Sequence, residues 1–265
     1  HTGLFAIGDA GQMKNQDANA RALRPPSRLW LVLSAALLLA GLGFLGAFGY
    51  AQYQYFKSSR YYTELRQVAS ASAQEAAPAA TVDFAALQAI NPDAAAWIEI
   101  PGLDLSLPVV QAQDNQTYLH RSFDGSESPA GCLFFAAPTG GDAELYRVIY
   151  GHNLHDGSMF SGLLNYRDAE FYREHPTFTL YTPEGAQTWR IFSCHAATDT
   201  EELYRTGRTE GAEYDAFLQE LQAMSEYDTG VDLPAGARTL TLSTCWSPYV
   251  SGLERFVIHA YRVDG

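Results

Sequence analysis

Cysteine is scarce in this chain, and basic residues are outnumbered by acidic ones. The 265 residues include three cysteines, and 17 lysines and arginines stand against 30 aspartates and glutamates, which gives a formal net charge of -13. Three scattered thiols do not make a disulfide scaffold, and the lack of any Cys-x-x-Cys pair excludes a zinc ribbon or a thioredoxin-type site. Nucleic-acid binders usually present a basic face, so we expect no nucleic-acid partner for so acidic a chain.

Patterns typical of metal binding are missing as well. No acidic cluster has the spacing of a calcium loop, and we expect neither a metal nor a cofactor. The odd number of cysteines leaves at least one thiol free unless it pairs with a second chain. Cys132 and Cys194 lie in apolar, strand-like stretches and are interpreted as buried structural thiols. A disulfide between them is the alternative, and sequence alone does not decide the matter.

One long apolar run stands near the beginning of the chain. Residues 29–50 read LWLVLSAALLLAGLGFLGAFGY and contain no charge, a length and composition that allow a helix to cross a bilayer. The run is apolar on every face, without a polar stripe, and it is longer than the apolar region of a secretory signal peptide. We therefore predict a retained transmembrane anchor.

The charges around this run predict its orientation and divide the chain. Basic residues precede it at Lys14, Arg21, Arg24 and Arg28, and follow it at Lys57, Arg60 and Arg66. Because basic residues collect on the cytoplasmic side, this small excess favours a single-pass topology with a cytoplasmic N-terminus. We predict a disordered cytoplasmic segment (1–28), the anchor (29–50), a juxtamembrane stalk and linker rich in Ala, Ser and Gln (51–80), and an extracellular folded domain (81–265).

The predicted domain is mainly β. Short β-type runs separated by Gly, Pro, Asn and Asp occur at 97–100, 107–110, 132–136, 146–150, 177–181, 188–194, 239–243 and 255–262. Such regularly spaced strands are typical of a barrel or a sandwich. A short helix is predicted over 82–90. A longer one near 211–224 shows apolar residues at three- and four-residue steps.

Cys245 stands at the end of one of these strands. Leu240 and Leu242 alternate with hydroxyl residues, which is the period of a half-buried strand, and Cys245 comes just after them. Arg255 follows ten residues later and opens the next apolar run. If the two strands pair in antiparallel fashion, Arg255 returns to the side of Cys245.

A cysteine nucleophile also needs a basic partner, because the thiolate is the reactive form. The chain has seven histidines, and pattern alone does not choose among them. His152 is attractive because it follows a predicted strand, as Cys245 does. His195 and His259 are interpreted as packed structural histidines.

Several segments resemble the sortases, and class B in particular, over about residues 82–265. The segments are TLSTC (241–245) with Arg255 ten residues on, YGHN (150–153), NPD (91–93) and DNQTYL (114–119). The resemblance implies a closed β-barrel of about eight strands with peripheral helices. It also implies a cysteine transpeptidase with Cys245 as nucleophile, His152 as its partner and Arg255 as oxyanion stabiliser.

The same resemblance implies the substrates and the residues that contact them. A sorting signal near the C-terminus of a secreted protein would be cleaved and joined to an amine of the peptidoglycan cross-bridge or of a pilin lysine. The expected substrate-binding residues are Asn115, Tyr118, Leu119, Ser243 and Thr244, with core packing as the alternative for Tyr118 and Leu119.

One departure and two alternatives remain. Class B members often carry acidic residues just after the cysteine, whereas this chain reads Trp246-Ser247-Pro248, which weakens any inference about substrate preference. A membrane-anchored cell-wall cysteine hydrolase is one alternative function, and a non-catalytic surface-binding module is the other.

Overall fold

The computed structural model describes residues 27–70, 82–137, 141–199, 202–248 and 252–263. The chain divides into two units, His1–Gly49 and Tyr50–Gly265. The prediction of disorder for residues 1–28 concerns a segment that lies, except for its last two residues, outside the described part.

Four α-helices and eight strands occur in the described residues. The helices are α1 (Arg28–Ser70), α2 (Phe84–Ile90), α3 (Ala169–Glu174) and α4 (Ala212–Ala223). The strands are β1 (Ala94–Ile100), β2 (Leu105–Val110), β3 (Leu133–Phe135), β4 (Tyr146–Tyr150), β5 (Thr177–Thr182), β6 (Gly185–Thr198), β7 (Thr239–Cys245) and β8 (Glu254–Arg262).

The strands close into a barrel in the order β1-β2-β3-β4-β7-β8-β6-β5, with β5 pairing back onto β1. Neighbours pair in antiparallel fashion except β2 with β3 and β4 with β7, which are parallel. Closure leaves no exposed sheet edge in the barrel. The predicted eight-strand closed barrel with peripheral helices is confirmed.

Two hydrophobic clusters hold the barrel, one on each side of its wall. Along β7, Leu240 and Leu242 point to the cluster that also contains Ile98 and Ile258. Residues on the opposite face of the wall, such as Val257 of β8, belong to a second cluster under α4. The side-chain period of two in a strand explains how one strand serves both clusters. Tyr214, Phe217, Leu218 and Leu221 form the face of α4 that covers the wall.

The first part of α1 is exposed and apolar. The helix contains an 18-residue window of mean hydropathy 2.3 that is 0% buried. It is therefore a candidate membrane span by length and composition. The cytoplasmic position of its N-terminus stays a prediction.

The last part of α1 packs into the folded unit. Tyr62, Leu65 and Ala69 are buried and belong to the same cluster as the barrel interior. They recur at three- and four-residue steps, so they share one helix face. The Tyr62 hydroxyl also donates to the Gly131 carbonyl at 2.7 Å. The predicted division between stalk and domain near residue 81 stays a prediction, but these helix residues contribute to the domain core.

We predict that Leu65→Ala destabilises the folded unit by about 2–4 kcal/mol, because it removes a buried side chain and leaves a cavity. Chemical denaturation of the chain in detergent measures the change. Glu64→Ala is the matched control, since its exposed i,i+4 pair with Arg60 is worth well under about 1 kcal/mol. Equal effects for the two variants would show that the helix does not pack on the barrel.

A second buried feature is a pair of histidines beneath α4. The rings of His195 and His259 stack with centroids 5.0 Å apart. The Tyr146 hydroxyl donates to the Leu203 carbonyl and accepts from Thr241, so the 2.7 Å contact between Thr241 and His259 requires His259 Nδ1 to donate. Burial, with His195 as a smaller contribution, lowers the pKa of His259 well below its usual value.

Because the pKa of His259 is lower in the folded chain than in the unfolded chain, protonation of this histidine does not reduce the stability of the fold above the unfolded pKa of about 6.5. As the pH falls below that value, His259 becomes protonated in the unfolded chain but stays neutral in the folded chain. The free energy of unfolding therefore decreases by up to about 1.4 kcal/mol per pH unit. Urea denaturation between pH 7.5 and 5 should show a shallower decrease for His259→Asn than for the native chain. Identical slopes would contradict this assignment.

Candidate active site

Strand pairing brings Cys245 and Arg255 together. In the antiparallel ladder of β7 and β8, Cys245 lies opposite Arg255. The Trp246 amide donates to the Glu254 carbonyl at 3.1 Å, so Trp246 and Glu254 form a hydrogen-bonded pair. Because the two kinds of pair alternate along an antiparallel ladder, Cys245 and Arg255 form a non-hydrogen-bonded pair, in which the side chains are closer. Paired residues also share a face of the sheet. The antiparallel arrangement expected from the spacing is confirmed.

The other neighbour of β7 places His152 at the same level. Strand β4 runs parallel to β7 with Tyr150 beside Ser243, and the Gly151 amide donates to the Ser243 carbonyl at 3.1 Å. His152 follows Tyr150 by two residues, as Cys245 follows Ser243 by two. The two side chains therefore leave neighbouring strands at one end of the barrel.

Gly151 is required for this path. A Cβ atom added there would lie 2.5 Å from both Leu133 Cδ2 and Phe160 Cδ2. These atoms belong to packed core side chains, which cannot move aside cheaply.

A cavity of about 230 Å³ joins the three residues. Its lining also includes Asn115, Leu119, Cys132, Phe134, Tyr150, Gly151, Asp199, Tyr204, Ser243 and Thr244. Both Cys245 and His152 are half-buried, so each is accessible from the cavity.

One ring nitrogen of His152 is held by the backbone. Nε2 lies 2.8 Å from the Leu119 carbonyl, and since a carbonyl only accepts, Nε2 carries the proton. Nδ1 is then the nitrogen of the neutral ring that can take up a proton. Gly131 stands against the ring with φ +62, and a Cβ there would lie 3.1 Å from His152 Cδ2 and 2.8 Å from the Leu119 carbonyl oxygen. Glycine thus permits the ring to keep this position.

Arg255 is fixed by three hydrogen bonds. Nη1 donates to the carbonyls of Gly252 and Glu254 at 2.6 and 3.0 Å. Nη2 donates to Asp199 Oδ2 at 2.7 Å. The arginine side chain is 20% exposed and that of Asp199 31%, so the pair borders the cavity without being fully solvated.

Asp199, Tyr204 and Asn153 are among the residues of this site that the sequence did not indicate. Asp199 and Tyr204 come from the connection after β6, far from Cys245 in sequence, and no local pattern marks them. The Tyr204 hydroxyl lies 2.9 Å from Ser243 Oγ. Asn153 donates from Nδ2 to the Cys245 carbonyl at 3.0 Å and so ties the end of β7 to the loop after β4. The position of Asn153 directly after His152 is the sequence feature that could have indicated its place in the site.

Tyr150 completes the wall next to the arginine. Its ring stacks on Tyr204 with centroids 5.8 Å apart. Burial raises the pKa of Tyr150 to about 12, while the Arg255 charge acts in the opposite direction. The phenol is therefore neutral near pH 7 and is a poor general base.

The predicted substrate-binding residues occupy different positions. Asn115, Leu119, Ser243 and Thr244 line the cavity. The amide of Asn115 is already engaged with the backbone of Ala137, accepting at 2.7 Å and donating at 3.3 Å.

Tyr118 is not among the residues that line the cavity. Its side chain is 4% exposed. Its hydroxyl donates to Asp93 Oδ2 at 2.8 Å and accepts from Asn91 at 2.8 Å. Burial raises the pKa of Tyr118 to about 12. The structure gives Tyr118 the core-packing position that was its alternative.

The other two thiols are buried and free. Cys132 and Cys194 are 3% and 0% exposed and form no disulfide. Burial raises the pKa of both thiols to about 12. Within the described residues, no group of three His, Cys, Asp or Glu side chains is placed to hold a metal ion.

Comparison with known proteins gives a consistent set of relatives. A family model of the sortase domain matches residues 98–263. Sortase B of Listeria monocytogenes is 32% identical over 160 residues, which span 60% of this chain and 65%, just under two thirds, of that protein. Clostridium perfringens sortase B is 31% identical, with a TM-score of 0.64 over 69% of this chain and 100% of that one. A Staphylococcus aureus sortase B–substrate complex is 26% identical, with a TM-score of 0.70 over 78% of this chain and 97% of that one.

We predict that iodoacetamide modifies Cys245 in the folded chain at least about tenfold faster than Cys132 or Cys194. Cys245 is half-buried, whereas the other two thiols are 3% and 0% exposed and burial raises their pKa, and the thiolate is the reacting form. Peptide mapping by mass spectrometry measures the three rates. In urea the differences should shrink. Rapid labelling of Cys132 in the folded chain would contradict the described packing.

Proposed function

The chain belongs to the sortase family, and from that premise we propose that it is a membrane-anchored cysteine transpeptidase of the class B type. The observation that carries the proposal is the pairing of β7 on both edges. Cys245 lies beside Arg255 of the neighbouring strand β8, and it is level with His152, which follows the other neighbouring strand, β4. The three residues line one cavity, which supports the roles of nucleophile for Cys245, proton carrier for His152 and cationic donor for Arg255.

The first step is attack by Cys245 on a backbone carbonyl of a sorting signal. His152 Nδ1 takes the proton of the Cys245 thiol. The resulting thiolate forms a bond to the carbonyl carbon, and the negative charge moves to the carbonyl oxygen. Arg255 is suited to receive that charge, because a preorganised donor at the developing oxyanion is usually the largest single catalytic contribution. Collapse of the intermediate breaks the C–N bond. The departing amine takes the proton from His152 Nδ1, and a thioester remains.

In the second step the proton moves in the opposite direction, from the amine to His152. An acceptor amine attacks the thioester carbon, and His152 Nδ1 takes one of its protons. The C–S bond then breaks, the thiolate of Cys245 is regenerated, and a new amide joins the two substrates. No cofactor enters either step, since acyl transfer exchanges one bond for another without a change in oxidation state.

We propose a C-terminal sorting signal of a secreted protein as the acyl donor. The acceptor is an amine of the peptidoglycan cross-bridge or a pilin lysine. This assignment is supported by the family, by the substrate complex of the Staphylococcus aureus relative, and by the candidate membrane span. A cytoplasmic N-terminus puts the barrel outside the cell, where such donors and acceptors meet.

We predict that Cys245→Ala abolishes product formation while the melting temperature changes by no more than about 3 °C, because the side chain is half-buried and small. The assay incubates the chain with a library of sorting-signal peptides and triglycine, and mass spectrometry identifies amide products. Cys194→Ala is the control that removes a thiol but keeps the nucleophile. Normal product formation by Cys245→Ala would exclude the assignment. Release of cleaved peptide without an amine-dependent product would favour the hydrolase.

We predict that Arg255→Ala lowers kcat by about 10²–10³-fold, the range measured for loss of an oxyanion donor. Arg255→Lys should recover part of the rate, because it restores a charge but not the planar fork of donors. Single-turnover kinetics of thioester formation separate this effect from substrate binding. Unchanged turnover in the alanine variant would remove Arg255 from this role.

A further inference from the structure

Arg255 has a carboxylate partner that the two steps above do not use. Asp199 follows β6 directly and lines the same cavity as Cys245 and His152. Its Oδ2 accepts from Arg255 Nη2 at 2.7 Å. The ion pair therefore lies at the catalytic end of the barrel and not on the outer surface of the domain.

The sheet fixes the backbone that carries the carboxylate. The last residues of β6 pair with the start of β8, where Ala197 lies opposite Arg255. The Asp199 amide donates to the Leu253 carbonyl at 2.8 Å. Asp199 has a short side chain with little rotational freedom, so its carboxylate has a defined position from which to hold the long arginine side chain.

The hydrogen bonds of Arg255 leave a specific pair of donors. A guanidinium has five N–H groups. Both N–H groups of Nη1 are engaged by the carbonyls of Gly252 and Glu254, and one of Nη2 by Asp199. Among the described residues, the Nε–H and the second N–H of Nη2 have no such acceptor. They are the donors available to an oxyanion.

We propose that Asp199 is a positioning residue that anchors Arg255 so that these two donors face the carbonyl attacked by Cys245. The inference rests on the proposed function. The carboxylate acts through the arginine and does not contact the reacting atoms. Without it, Nη2 loses its acceptor and only the two hydrogen bonds of Nη1 hold the guanidinium, so the free donors face the oxyanion in a smaller fraction of conformations.

The test is a double-mutant cycle in the full chain in detergent, with a sorting-signal peptide and triglycine as substrates. Asp199→Asn should lower kcat about tenfold, with KM changing less than about twofold, because an interaction made mainly in the transition state is weakened. In the Arg255→Ala background the same substitution should change kcat less than about twofold. Asp199→Glu, which keeps the charge, should recover at least part of the loss.

Glu254→Gln is the matched control. It removes one negative charge from the residue next to Arg255. The Glu254 side chain is exposed, and among the described residues Arg255 bonds the backbone carbonyl of Glu254 and not its carboxylate, so kcat should be unchanged. If Asp199→Asn fails to fold, Asp199→Glu is compared with Asp199→Ala instead. The glutamate variant should then have the higher kcat of the two, because it keeps the charge.

Two outcomes would overturn the inference, and they are distinguishable. A native chain that forms no product overturns the proposed function and this inference with it. An active native chain whose Asp199→Asn variant keeps full kcat, or loses the same factor with and without Arg255, overturns the positioning role alone.

Discussion

Strand β7 is paired along both edges, and the proposed catalytic arrangement depends on this double pairing. Its parallel ladder with β4 sets the level of His152, and its antiparallel ladder with β8 sets the position of Arg255. A slip of one residue on either side would turn a side chain to the other face of the sheet. The register is held because Leu240, Leu242 and Ile258 must all point into the barrel. Burial of apolar side chains thus fixes the geometry of polar ones.

The same strand also connects the two hydrophobic clusters. The face opposite Leu242 carries Thr241, which bonds to His259 and Tyr146 beneath α4. Thr241 Oγ1, His259 Nδ1 and the Tyr146 hydroxyl are all engaged in hydrogen bonds, and removing one partner from such a buried group is costly. Cys245 stands where this wall ends and the cavity begins, so its half-buried thiol has a rigid support, while the two other thiols are buried.

Local patterns predicted much of this arrangement. Alternation placed Cys245 at a strand end, and the ten-residue spacing placed Arg255 opposite it, because both depend on neighbours in sequence. The choice of His152 over six other histidines needed the family resemblance. Strand β6 is longer than expected, running from Gly185 to Thr198, since its pairing with both β5 and β8 extends it beyond its apolar stretch.

Other features depend on contacts between distant segments and have no local signature. Asp199 is 56 residues from Arg255, and nothing in its immediate sequence distinguishes it from other acidic residues. The composition of residues 51–80 suggested a stalk, yet Tyr62 and Leu65 of this segment pack into the core of the barrel unit. Tyr118 lies within a family motif, yet Asn91 and Asp93 hold its hydroxyl in the core. In each case tertiary contacts decide the position.

The most direct test of the central claim is to locate the covalent intermediate. The chain is incubated with a sorting-signal peptide in the absence of an acceptor amine, acid-quenched and digested, and the acylated peptide is sequenced by tandem mass spectrometry. The account predicts a hydroxylamine-labile adduct on Cys245 alone. An adduct on Cys132 or Cys194, or cleavage of the peptide with no thioester at any cysteine, would contradict it.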